Sequence, residues 1–168
     1  MATELYDLTV PAFVRALSAL RGILDKARDW ADEAGVDHAD LLDARLAPDM
    51  APLTAQVQRT SDTIKGALVR IGGVENVAMA DTEGSFAELD ERIGRTLVFI
   101  DSVGRHLIDG KEDATVTLTT PSNTLTFTGS DYVRGFVLPN LYFHVTTAYA
   151  ILRMTGVPLG KMDYLGAR

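Results

Sequence analysis

The stretch FVRALSALRGILDKARDWADEAG, residues 13–35, decides the fold. Phe13, Leu17, Leu20, Leu24, Ala27 and Ala31 recur at alternating spacings of four and three, which sets them on one helical stripe. Arg15, Arg21, Asp25, Arg28, Asp29 and Asp32 fall mainly off that stripe. Gly35 supplies a stop, because glycine adopts the left-handed conformation that closes a helix. Pro11 suits a first turn, where a missing N–H costs little, so residues 4–9 are expected to form a separate lead-in turn.

The same patterning continues downstream. Asp37 is expected to cap a short helix from His38 to Leu46, ending before Pro48. A second bundle helix runs from about Met50 to Ile71, with Pro52 in its first turn and Leu53, Val57, Ile64, Leu68 and Ile71 as its apolar stripe. Gly72-Gly73 ends it, and residues 74–84 read as a loop. Ser85-Phe86-Ala87-Glu88 has the capping-box pattern, followed by Leu89, Ile93, Leu97 and Ile100 on one face of a third helix that stops near Gly104. Residues 115–119 and 124–128 then alternate threonine with apolar side chains around Pro121-Ser122-Asn123, the mark of a small β-hairpin. The last helix spans Ser130 to Thr155, with Pro139 inside it bending it or removing one hydrogen bond. Gly156 ends that helix, and Val157-Pro158 begins an extended tail. Four long amphipathic helices and one short hairpin predict a mainly α fold, an antiparallel four-helix bundle, as a single domain over residues 1–168.

Composition narrows the function classes. With 46% hydrophobic and 23% charged residues among 168, the chain has the make-up of a folded protein. Its net charge of −7 and the lack of any Lys/Arg cluster argue against nucleic-acid binding. There is no cysteine, so disulfides, thiolate metal ligands and thiol catalysis are excluded. Met1-Ala2-Thr3-Glu4-Leu5-Tyr6 has neither the basic nor the apolar region of a signal peptide. No apolar run approaches the roughly 18 residues of a membrane span. A cytoplasmic protein with no membrane contact is the expectation.

No Gly-rich phosphate loop, GxSxG elbow or HExxH pair occurs. His38 and His106 fall in polar, helix-boundary positions that suit solvated side chains. His144 differs, lying mid-helix among Tyr142, Phe143, Thr147 and Tyr149, where its environment can tune its charge. Asn140 precedes it by one turn on the same face. Gln56 flanks the stripe of the second bundle helix, with Thr60 and Thr63 continuing its side. If those two helices pack together, Gln56, Asn140 and His144 meet in one polar pocket. They then either bond one another to fix helix register or bind a small-molecule ligand.

Residues 5–11, residues 46–50 and especially PNLYFHVTTAYAILR, residues 139–153, resemble an uncharacterised bacterial domain-of-unknown-function family within the DinB/YfiT-like superfamily. The resemblance implies a four-helix bundle, often a homodimer. It also implies a divalent nickel or zinc held by three histidines, one from the second bundle helix and two from an H-x-x-x-H on the last. Some members of that superfamily are transferases acting on small thiols. Aligned on residues 139–153, His144 takes the second position of the pair and Asn140 the first, while Gln56 takes the place on the second bundle helix. One of three ligands is kept, and neutral amides are poor ligands for these metals. Asp49 could add a carboxylate, but it serves equally as a helix cap. The expectation is therefore a metal-free, DinB-like protein that binds a small ligand or partner at Gln56, Asn140 and His144, with no other cofactor. The alternatives are a metal-dependent transferase or hydrolase and a structural, dimeric scaffold.

Overall fold

A computed structural model describes residues 4–120 and 122–166. Helix α1 (Leu5–Ala34) is unbroken, so the lead-in turn expected at residues 4–9 is part of it and Pro11 lies inside. Two features allow this. The carbonyl deprived of its helical partner by Pro11 belongs to Asp7, which is exposed to water. The first N–H groups are also satisfied from far along the chain: Leu5 N donates to Glu112 Oε1 at 3.3 Å and Tyr6 N to Asp109 Oδ1 at 3.0 Å. Gly35, at φ 67°, closes the helix in the left-handed conformation.

Asp37 caps α2 (His38–Leu42) by accepting from Ala39 N at 2.9 Å. The helix stops four residues short of Leu46 because the chain folds back at once: Leu42 O accepts from Thr54 Oγ1 and Ala44 O from Leu53 N. Helix α3 (Leu53–Gly72) accordingly starts after Pro52, whose ψ of 171° keeps it extended. Helix α4 (Phe86–Ser102) starts on the Ser85 cap, with Ser85 Oγ 3.2 Å from Glu88 N.

The helix directions differ from the all-antiparallel expectation. Arg21 pairs with Asp90, and Tyr6 reaches Asp109, so α1 and α4 run antiparallel. Ser61 meets Thr96 and Gly72 meets Ile108, so α3 and α4 run parallel. The segment between them must return along the bundle. Residues 74–84 do so as an extended strap lying back along α3: Val77 O bonds Lys65, Met79 Sδ lies 3.8 Å from Ser61 Oγ, and Glu83 bonds Gln58. Eleven extended residues reach about 37 Å, enough to span a 20-residue helix of about 30 Å.

The hairpin β1 (Thr115–Thr119) and β2 (Thr124–Thr128) pairs Val116 with Phe127 and Leu118 with Leu125, leaving six threonines on the other face. Val116 and Leu118 are buried. Pro121, in its turn, lies outside the described residues. Helix α5 (Gly129–Tyr132) runs through a wide π turn, Val133–Val137, into α6 (Leu138–Met154). Leu138 N bonds Val133 O across that turn, which shifts the register before Pro139 and settles the proline without a break. The expected extended tail instead coils into α7 (Lys161–Leu165), tied to α1 by Lys26–Asp163 and to α6 by Tyr164. Helix α6 runs antiparallel to α3, through Arg70–Tyr132 and Gln56–His144, and parallel to α1, with Leu5 beside Gly129 and Trp30 beside Gly156. The apolar stripes of all four long helices join one core cluster. Among the described residues, no helix is long and apolar enough to cross a membrane.

Candidate functional site

The wall between α3 and α6 carries all three residues singled out in the sequence. Their antiparallel packing brings position 56 opposite position 144. His144 is buried, at 7% exposure, and Gln56 at 1%. His144 Nδ1 lies 2.8 Å from Gln56 Oε1, while Gln56 Nε2 donates to Ala51 O at 2.9 Å. That second bond orients the amide, so its oxygen must face the imidazole. An amide oxygen only accepts, so Nδ1 carries the proton and donates it. Burial, aided by the positive charge of Arg59, lowers the His144 pKa from 6.5 to about 4. The ring is neutral at pH 7, and its Nε2 lone pair takes no hydrogen bond from a described residue.

Asn140 is placed one turn away and apart from this pair. Its Nδ2 donates to Thr63 Oγ1 at 2.7 Å, and Thr63 Oγ1 in turn donates to Arg59 O. Thr60 Oγ1 closes on Gln56 O at 2.8 Å, the usual fate of a buried threonine in a helix. Phe143 sets its ring edge-on to His144 at 5.3 Å, and both Phe143 and Tyr142 are substantially exposed, at 54% and 40%. The wall is thus a set of short, separate hydrogen bonds rather than one shared pocket. A surface cleft of about 800 Å³ lies elsewhere, between α1 and α7. Among the described residues, no three His, Cys, Asp or Glu side chains gather as metal ligands. Asp49 is on the loop before α3, and no hydrogen bond of its side chain joins it to this wall.

A second polar centre lies under the strap and went unnoticed in the sequence. Arg92 on α4, with its side chain 1% exposed, pairs with Asp62 at 3.0 Å and with Asp81 and Glu83 at 2.9 Å. It also donates to Ala80 O, while its Nε has no partner among the described residues. Burial alone lowers the Arg92 pKa, but Glu83 and the other carboxylates outweigh it and raise the value. Burial likewise raises the Glu83 pKa, and the hydrogen bonds from Arg92 and Gln58 more than reverse it. Position 92 follows Leu89 by three on the α4 stripe, so a charge on a core-facing position was the available signal.

A family described as a domain of unknown function, DUF1993, matches residues 5–165. No curated protein matches the chain. A solved structure of a DinB family member from Shewanella denitrificans is 40% identical, with a TM-score of 0.88 over 98% of this chain and 93% of that one.

Proposed function

The chain belongs to the DUF1993 family of unknown function, and on that premise we propose that it is a metal-independent, DinB-like binding protein. Its single domain acts in the cytoplasm, and the α3–α6 wall receives a small ligand or a partner. The observation that carries this reading is the His144–Gln56 bond at 2.8 Å, held in place by Gln56–Ala51. It leaves one acceptor, His144 Nε2, suited to a ligand N–H or O–H. Asn140 supplies a second polar group one turn along, and Phe143 offers an aromatic face. The donor set does not suit nickel or zinc, which take imidazole, carboxylate or thiolate. Gln56 has committed its oxygen and nitrogen within the protein, Asn140 donates to Thr63, and a single imidazole nitrogen is left.

Metal analysis of tag-free protein tests this directly, together with long-range ¹H–¹⁵N spectra of the imidazole during a Zn²⁺ titration. The expected outcome is substoichiometric metal and a ring that stays in the Nδ1–H tautomer. Stoichiometric nickel or zinc, with His144 Nε2 shifted by it, would overturn the reading in favour of a metal-dependent transferase or hydrolase.

The exposed Tyr142 and Phe143 on α6 favour a second feature, a homodimer built on that helix. Light scattering at high micromolar concentration should give twice the chain mass, and Phe143→Ser should halve it. A monomer in the wild type would remove both the dimer and the purely structural, dimeric-scaffold role.

A further inference from the structure

Helix α3 also has a charged side, away from His144. Lys65 lies nine residues beyond Gln56, half a turn round the helix. There, α3 and the strap enclose a cleft of about 470 Å³, with Asp62, Lys65, Arg70 and Asn76 as its polar lining and Val69 and Met79 among its apolar one. The volume falls within the range of small-molecule sites.

Of the two cations of this cleft, Lys65 is buried and Arg70 is exposed. Lys65 has a side chain only 5% exposed, and its Nζ donates to Val77 O at 3.1 Å and to Asp62 Oδ1 at 3.1 Å. An ammonium has three donors, so one remains. Among the described residues, Asp62 is the one carboxylate the ammonium meets, and it is shared with Arg92, whose Nη2 lies 3.0 Å from the same oxygen. Arg70 donates from Nη1 to the Tyr132 hydroxyl at 3.0 Å and, among the described residues, pairs with no carboxylate. Its Nη1 packs against Gly66, and a Cβ at that position would collide with it. In a chain of net charge −7, this cleft holds two cations against one divided carboxylate.

We propose that the cleft between α3 and the strap binds a small organic anion, a carboxylate or phosphate group carried on an apolar body. Arg70 offers its planar fork and Lys65 its remaining N–H to the charged group, with Asn76 beside them. Val69 and Met79 line the body. The site is independent of the His144 wall, so either reading stands if the other fails.

Calorimetric titration of the full chain with phenyl phosphate, phenylacetate and the neutral benzyl alcohol tests the proposal. Both anions, or one of them, should bind, and benzyl alcohol should bind at least tenfold more weakly; the tighter anion identifies the charged group. Arg70→Gln should weaken binding about tenfold or more, the scale of a lost charge-assisted hydrogen bond. Gly66→Ala keeps every charge and favours the helix, yet should also weaken binding several-fold by displacing the guanidinium. The proposal is overturned if neither anion binds at millimolar concentration, if benzyl alcohol binds as well, or if both variants, folded by circular dichroism, bind like the wild type.

Discussion

Replacing His144 by Asn should change how stability depends on pH, and the size of the change follows from the buried ring. Asn retains a side-chain N–H for Gln56 Oε1 but cannot titrate. In the wild type the His144 pKa is about 4, against 6.5 for an ordinary imidazole. The unfolded chain therefore takes up the proton first as pH falls. Stability is complete above about pH 6.5, is lost progressively below it, and levels off once the folded ring titrates near 4. At 1.36 kcal/mol per pKa unit, the full effect is about 3 kcal/mol, of which about 2.5 kcal/mol should be gone by pH 4.5. Carboxylates also titrate in this range, but they do so in both proteins, so the difference between wild type and variant isolates His144. Urea unfolding followed by circular dichroism at pH 7.5 and 4.5 reads it. The wild-type midpoint should fall by about 1 M more than that of the variant, for a slope near 2 kcal/mol per M. The variant will be less stable at neutral pH because it leaves space beside Phe143, and the gap should close on acidification. Equal pH dependence in the two proteins, or an imidazole titrating near 6.5 by NMR, would refute the argument.

Three further substitutions probe the rest of the frame. Arg92→Met should cost about 3 kcal/mol, since it leaves the part-buried Glu83 carboxylate without its cation; urea unfolding reads the loss, and limited proteolysis should then cut within residues 74–84. A cost under 1 kcal/mol would mean the strap is held mainly by its apolar contacts. Gly129→Ala should cost about 1–3 kcal/mol, because the added Cβ collides with the Lys111 carbonyl, a backbone atom with little room to yield. A thermal melt unchanged from wild type would contradict that packing. Ser85→Ala should remove about 1 kcal/mol through the lost cap on Glu88 N, measurable as a small drop in the urea midpoint.

What could be read from the sequence was what neighbouring residues determine. The stripe beginning at Phe13, the Ser85 cap and the alternation that marks residues 115–119 and 124–128 as strands each depend on residues a few positions apart, and each stands in the structure. Pro11 misled because its environment is set from about a hundred residues away: Asp109 and Glu112 satisfy the N–H groups of a helix that local rules would start later. Periodicity identified the buried face of α3 and α4 but carries no information about direction, so their parallel packing and the strap it requires were invisible. The candidate wall was legible as two faces, Gln56 on one helix and Asn140 with His144 on another. Which of them touch depends on the stagger between α3 and α6, and that stagger pairs Gln56 with His144 while giving Asn140 to Thr63. Arg92 needed the strap overhead before its charge made sense.

The order of the helices also bears on how the protein is made. Helix α1 rests chiefly on α4 and α6 rather than on α3, which follows it in the chain. A ribosome that has finished α1 must still add about 68 residues before α4 is complete, some 3–14 s at ~5–20 residues per second. Until then Phe13, Leu17, Leu20 and Leu24 face water or a chaperone. The nascent chain therefore passes through a stage when its longest apolar stripe has no partner, and faster elongation would shorten that exposure.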